Sequence, residues 1–193
     1  MQTEYFVLEA AANDSHPLLQ WDESGSAFHR GEAVSVTEPI RLRLGQPVPR
    51  HPVMVDHHTL PEPVISERIR NVLEPLSLHR VQFVPADVRV STGDVRRYWL
   101  MHVFNELACI DARRSLCRRS PSGLVMVSLD KLVLDEQMLR AVPEELRRVF
   151  VLTESVSTYL FHVSMVEKVL ALQPEGFRFV PVNQWNDATG FEP

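Results

Sequence analysis

The chain has 193 residues, 45% hydrophobic and 23% charged, which is enough to bury a core as one domain or two small ones and rules out a disordered tail. A formal charge of −5 and a pI near 5.9 offer no basic face able to neutralise several phosphates, so nucleic acid is not the expected partner. No apolar window approaches the roughly twenty residues of a membrane span.

The opening Met1-Gln-Thr-Glu-Tyr-Phe-Val-Leu lacks a basic start and carries an acid beside its short apolar run, so it reads as a first strand and not as a secretory signal. The two cysteines, Cys109 and Cys117, sit too close together to staple much of a fold, which fits reduced thiols and a cytoplasmic location. Nine of the fourteen prolines precede Val88, which predicts short strands and tight irregular connections in the first half.

In chain order, Glu4 to Leu8 has strand composition and residues 13–31 read as a long surface loop. Ile40-Arg-Leu-Arg-Leu44 alternates apolar and basic residues, the pattern of a strand with one buried face. Ser66 is the expected cap of a helix carrying Ile69, Val72 and Leu73 and ending at Pro75. Strands are predicted at Val81–Val84, Val88–Val90, Tyr98–Phe104, Arg148–Leu152 and Phe177–Val182, with Phe177 and Phe179 on one face. Gly123–Leu129 and Lys131–Leu134 read as two strands or one bent one. The apolar stripe Val156, Leu160, Val163, Val166, Val169 and Leu170 predicts the longest helix, between Glu154 and Leu172. The expected class is therefore α+β, mostly antiparallel sheet with a few packed helices, as a single domain over 1–193 or as two small lobes divided within 45–63.

Three clusters bear chemistry. Asp56-His57-His58 joins a carboxylate and imidazoles, ligand types that suit a transition metal, and the tripeptide by itself resembles the signature of a phosphoesterase superfamily. Those enzymes need further aspartates at strand ends to hold two metals, and no Asp-x-Asp pair occurs here. His51 and His79 add two more histidines at spacings that match neither a helix face nor a zinc knuckle. The triplet is expected to be a solvated loop, and a small metal-dependent hydrolase using Asp56, His57 and His58 is the alternative.

The second cluster is Asn105 to Ser120, with Cys109, Asp111, Ser115, Cys117 and four arginines, Arg113, Arg114, Arg118 and Arg119. A catalytic thiol there needs a positioned base, and the nearest histidine, His102, is predicted inside an apolar strand. Cys109 is expected in the core, and the arginines in a solvated turn or a partner-facing rim, with an anion site as the other reading. The third is an absence: the chain contains no H-E-x-x-H, G-x-S-x-G, C-x-x-C or phosphate-cradling glycine loop. No catalytic, metal or cofactor role is assigned to any residue.

A series of short motifs runs through the chain: Tyr5-Phe-Val-Leu8, Asp56, Leu60-Pro-Glu-Pro-Val-Ile-Ser-Glu67, Gln82-Phe-Val-Pro85, Tyr98, Ala108-Cys-Ile-Asp-Ala-Arg-Arg-Ser115, Leu132-Val-Leu-Asp135, Val149-Phe-Val-Leu-Thr-Glu154 and Gly176-Phe-Arg-Phe-Val-Pro181. In that order they resemble a family of immunity proteins from bacterial polymorphic toxin and contact-dependent competition systems, first catalogued as a domain of unknown function. The resemblance covers nearly the whole chain. It implies a protein without catalytic residues or cofactor that binds and silences a cognate toxin or effector domain encoded beside it.

Asp111 and Ser115 then read as a structural turn, with Asp111 accepting backbone amides and Ser115 closing it. The His57–His58 pair and the stretch His102-Val-Phe-Asn-Glu106 fall outside the family pattern and are where this member's own specificity is expected. Trp21, Phe28 and Trp185, also outside it, are the expected aromatic anchors for a partner.

Overall fold

The computed structural model describes residues 1–120 and 126–189. Its strands in chain order are β1 (Tyr5–Ala10), β2 (Leu19–Trp21), β3 (Ile40–Leu44), β4 (His57–His58), β5 (Val64–Ile65), β6 (Val81–Ser91) and β7 (Asp94–Val103). There follow β8 (Glu106–Leu107), β9 (Leu116–Arg119), β10 (Met126–Lys131), β11 (Val149–Leu152), β12 (Ser155–His162) and β13 (Phe177–Pro181). The helices are α1 (Glu67–Leu73), α2 (Glu136–Ala141) and α3 (Val163–Leu170).

Two large sheets and a ribbon result. One sheet has the order β13-β1-β12-β11-β8, the other β2-β3-β6-β7-β5-β4, and β9 pairs with β10. Pairing is antiparallel except between β3 and β6 and between β8 and β11. The class is therefore α+β and largely antiparallel, as the sequence pattern predicts.

Period-two alternation distributes the apolar side chains over three cores. Along β1, Tyr5 and Val7 point to one face of their sheet while Phe6 and Leu8 point to the other. The central core lies between the sheets, where Leu8, Val151 and Phe161 of the first meet Ile65, Met101 and Val103 of the second, together with α1 and α3. An outer core covers the far face of the five-stranded sheet with Leu129, Leu132, Leu139 and Trp185. A third lies on the far face of the six-stranded sheet, where Ile40, Leu42 and Leu44 are buried while Arg41 and Arg43 are exposed, and Phe28 closes it.

Several predicted elements differ in the structure. Residues 155–162 form strand β12, paired to both β1 and β11, and the helix starts only at Val163. Val81 to Ser91 is one strand across Pro85, because β3 pairs with β6 only from Ala86 onward and the N–H that proline lacks falls beside an open edge. The loop 13–31 contains β2 and a short helical turn at Ser26–Arg30 that buries Phe28. Helix α2 is an addition: Asp135 caps it by accepting from the amides of Gln137 and Met138. The helix at Glu67 begins after Ser66 as predicted, but the Ser66 hydroxyl is turned to Asp56 and the last turn continues as a tighter turn through Pro75. Of the strand expected at Gly123–Leu129, residues 123–125 lie outside the described residues. Among those described, no helix is long and apolar enough to cross a membrane.

Candidate functional site

The triplet Asp56-His57-His58 is buried, at 8%, 2% and 3% exposure, which corrects the expected solvated loop. Backbone pairing accounts for this: His57 and His58 form edge strand β4 against β5, and the Asp56 amide donates to the Glu175 carbonyl at 3.1 Å. Gly176 makes the approach possible. Its φ is +85°, and a Cβ there would stand 2.5 Å from the His57 carbonyl oxygen.

Side chains of neighbouring strand residues point to opposite faces. His57 accordingly packs on Phe177 of the central core, ring centroids 4.6 Å apart, and His58 on Tyr98 of the third, at 5.6 Å. Each ring donates its Nδ1 hydrogen to a backbone carbonyl, His57 to Gly176 at 3.1 Å and His58 to Pro17 at 2.9 Å. Burial holds both imidazoles neutral, with pKa values lowered to about 4. The Asp56 carboxylate is occupied as well, accepting from the Ser66 hydroxyl at 2.6 Å, the Glu175 amide at 2.9 Å and the Arg68 guanidinium. Burial alone would raise its pKa, but these donors, Arg68 foremost, hold it down at about 2. The three residues thus turn to three different sets of neighbours and do not converge as the ligands the hydrolase alternative requires. Among the described residues no three His, Cys, Asp or Glu side chains gather as a ligand set.

Within Asn105 to Ser120, between strands β8 and β9, residues 111–115 fold as a braced turn. Asp111 accepts from the amides of Arg113 and Arg114, both at 3.0 Å, and pairs with the Arg114 guanidinium at 2.6 Å. The Ser115 hydroxyl donates to the Val133 carbonyl and accepts from the Val133 amide, both at 3.0 Å. Cys109 is 2% exposed and burial pushes its thiol up to about 12, the reverse of an activated nucleophile. Arg118 lies outward on β9 with Asp130 beside it at 3.3 Å. The three aromatic residues expected as partner anchors pack largely within the fold. Phe28 and Trp185 are buried, Trp21 stacks on Phe28 at 5.1 Å, and the Trp185 indole donates to Glu9 at 2.6 Å.

A cleft of about 240 Å³ opens at the seam of the two sheets. Its floor is His102 of β7, 2% exposed, with Nδ1 3.1 Å from a Glu62 oxygen and Nε2 donating to the Glu32 carbonyl at 3.0 Å. A carbonyl only accepts, so Nε2 carries a hydrogen, and Nδ1 is left facing the Glu62 carboxylate, an arrangement that favours the protonated imidazole. Burial alone would lower the His102 pKa, but Glu62 and the Glu32 carbonyl outweigh it and the value is raised. Phe28 and Phe104 flank the imidazole at 5.2 and 5.3 Å, and Tyr159 and Glu106 complete the walls. Gly31, at φ +65°, leaves room for Glu106: a Cβ there would lie 2.9 Å from its carboxylate.

No local pattern announces this cleft, because its parts come from residues near 30, 62, 104 and 157. Its one sequence signal is the stretch His102–Glu106, set apart from the family pattern, which runs along it.

Residues 5–184 match the model of the Immunity protein family (Imm11). No curated protein matches. Matched over nearly its whole length, the chain belongs to the Imm11 immunity protein family.

Proposed function

We propose that this protein binds and neutralises a cognate toxin domain encoded by a neighbouring gene in bacterial competition, acting in the cytoplasm as a stoichiometric inhibitor and not as an enzyme. The family match over residues 5–184 carries the reading. The state of the reactive groups supports it: Asp56 is bound up by three donors, and Cys109 is held as a buried thiol. The reading also takes the chain as one domain, since segment 45–63 is tied at Val53 to Ser15 and at Asp56 to Glu175.

Silencing a lethal enzyme through buried interface calls for nanomolar affinity, on the order of −12 kcal/mol. Co-expression with the toxin domain encoded beside this gene should restore growth, and the two should co-purify at a fixed ratio with unchanged covalent masses. Inactivation of the toxin by sub-stoichiometric amounts would overturn the reading in favour of an enzymatic antidote.

A further inference from the structure

We propose that the cleft over His102 receives a single basic side chain, arginine or lysine, from the toxin. This rests on the immunity reading and adds the place of contact and the chemistry of the group that fills it.

The size of the cleft argues for one side chain: about 240 Å³ is below the roughly 300–1,000 Å³ that enclose a drug-sized ligand. Its charge argues for a cation, since Glu62 is balanced by His102 while the Glu106 carboxylate has no basic partner among the described residues and the lining contains neither Lys nor Arg. Glu62 is 12% exposed and spends one oxygen on His102, so its other oxygen is left to accept. Glu106 is exposed at the mouth and, among the described residues, makes no side-chain hydrogen bond or ion pair. The Tyr159 hydroxyl is likewise unpaired among the described residues, and burial raises its pKa, so it stays neutral. These three groups accept hydrogen bonds from a guanidinium or ammonium, and the Tyr159 ring stands beside them, whereas Phe28 is stacked by Trp21 and Phe104 by His102 and the Arg80 guanidinium.

The rim fits docking by a protein. Val156 is 58% exposed at the mouth, an apolar contact beside an acidic hole. The His102–Glu62 pair fixes the floor, so the acceptors are positioned before the partner arrives and the cost of ordering them is already met.

The test is binding of the purified toxin domain from the neighbouring gene, with folding of every variant checked by its melting temperature. Glu106→Gln should weaken binding about tenfold, and Glu62→Gln with Glu106→Gln roughly a hundredfold. Val156→Arg, at an exposed position, should weaken it by placing a competing cation at the mouth. If the double variant fails to fold, Glu106→Gln and Val156→Arg carry the test. Separately, N-acetylarginine amide at millimolar concentration should shift the ring resonances of His102 and Tyr159, and N-acetylglutamate amide should leave them in place. If the wild type neither binds nor protects, the immunity reading itself fails. If the wild type binds and folded Glu106→Gln and Val156→Arg bind equally well, this proposal alone is overturned.

Discussion

Asp56 and Arg68 form a two-pronged ion pair at the start of α1, with Nε donating to Oδ1 at 2.7 Å and Nη2 donating to Oδ2. The same carboxylate takes the Ser66 hydroxyl and the Glu175 amide, so it joins strand β4, helix α1 and the turn before β13. Asp56→Ala should cost about 2 to 4 kcal/mol, because it strands donors that have left water. Arg68→Ala should cost less, since Arg68 is 49% exposed and its removal leaves Asp56 with two other donors. Urea denaturation of the two variants decides this, and equal losses would assign the stability to the ion pair alone.

Acid should destabilise the protein well above the carboxylate range. In the unfolded chain His57 and His58 take up protons near the ordinary value of 6.5, whereas folded they resist protonation until about pH 4. Between those values the unfolded state binds more protons, so stability falls as the pH drops, by on the order of 3 kcal/mol per ring. Asp56 adds a later loss, because its stabilisation is complete above 3.8 and disappears as the pH falls through about 2. His102 has the opposite sign: its raised pKa contributes stability at low pH that is lost as the pH rises through the folded value. Thermal melts from pH 7 to 4.5 should decline steadily, with the His57 and His58 ring signals unchanged above pH 5.

Asp111→Ala should lower the melting temperature without altering binding of the toxin domain, because Asp111 braces the amides of Arg113 and Arg114. An unchanged melt combined with lost binding would move Asp111 from the turn to the interface.

The thiols should separate by reactivity. Cys109 is buried and held protonated, so iodoacetamide at pH 8 should spare it while alkylating the partly exposed Cys117. Cys109→Ser with Cys117→Ser should keep protection, with some stability lost to burying a hydroxyl at position 109. Loss of protection in a folded double variant would assign a thiol a chemical role.

Purified protein should carry no stoichiometric zinc or manganese at His57 and His58, whose rings face Phe177 and Tyr98 on opposite sides of β4. Elemental analysis checks it. One metal per chain, lost on His57→Ala with His58→Ala, would restore the hydrolase alternative.

How far the sequence foretold the structure depends on whether one periodicity excludes another. Ile40 to Leu44 alternates so cleanly with Arg41 and Arg43 that only a half-buried strand fits. Val156 and Leu160, four apart, satisfy both a helix and a strand, because four is a multiple of two and close to one helical turn. The strand is betrayed only by Tyr159 and Phe161, which occupy the opposite face to Leu160. The short apolar flanks of His57 and His58 gave no sign of burial, because what covers them is distant in the chain: the turn at Gly176 for His57, and Pro17 and Tyr98 for His58. The cleft over His102 is likewise assembled from distant pieces, so no local spacing encodes it.

The position of β1 between β12 and β13 sets an order on synthesis. All strands of the six-stranded sheet lie within residues 19–103, so its pairings are available while the ribosome is still translating the second half. Tyr5–Ala10 must wait for Ser155–His162 and Phe177–Pro181, which follow the whole six-stranded sheet in the chain. Such distant pairing is slow to form, and the edges of β1 stay open to wrong partners in the meantime. A message truncated before codon 177 would leave β1 with one neighbour missing and the central core without Phe177 and Phe179. The five-stranded sheet therefore closes around β1 only after residues 177–181 have been added.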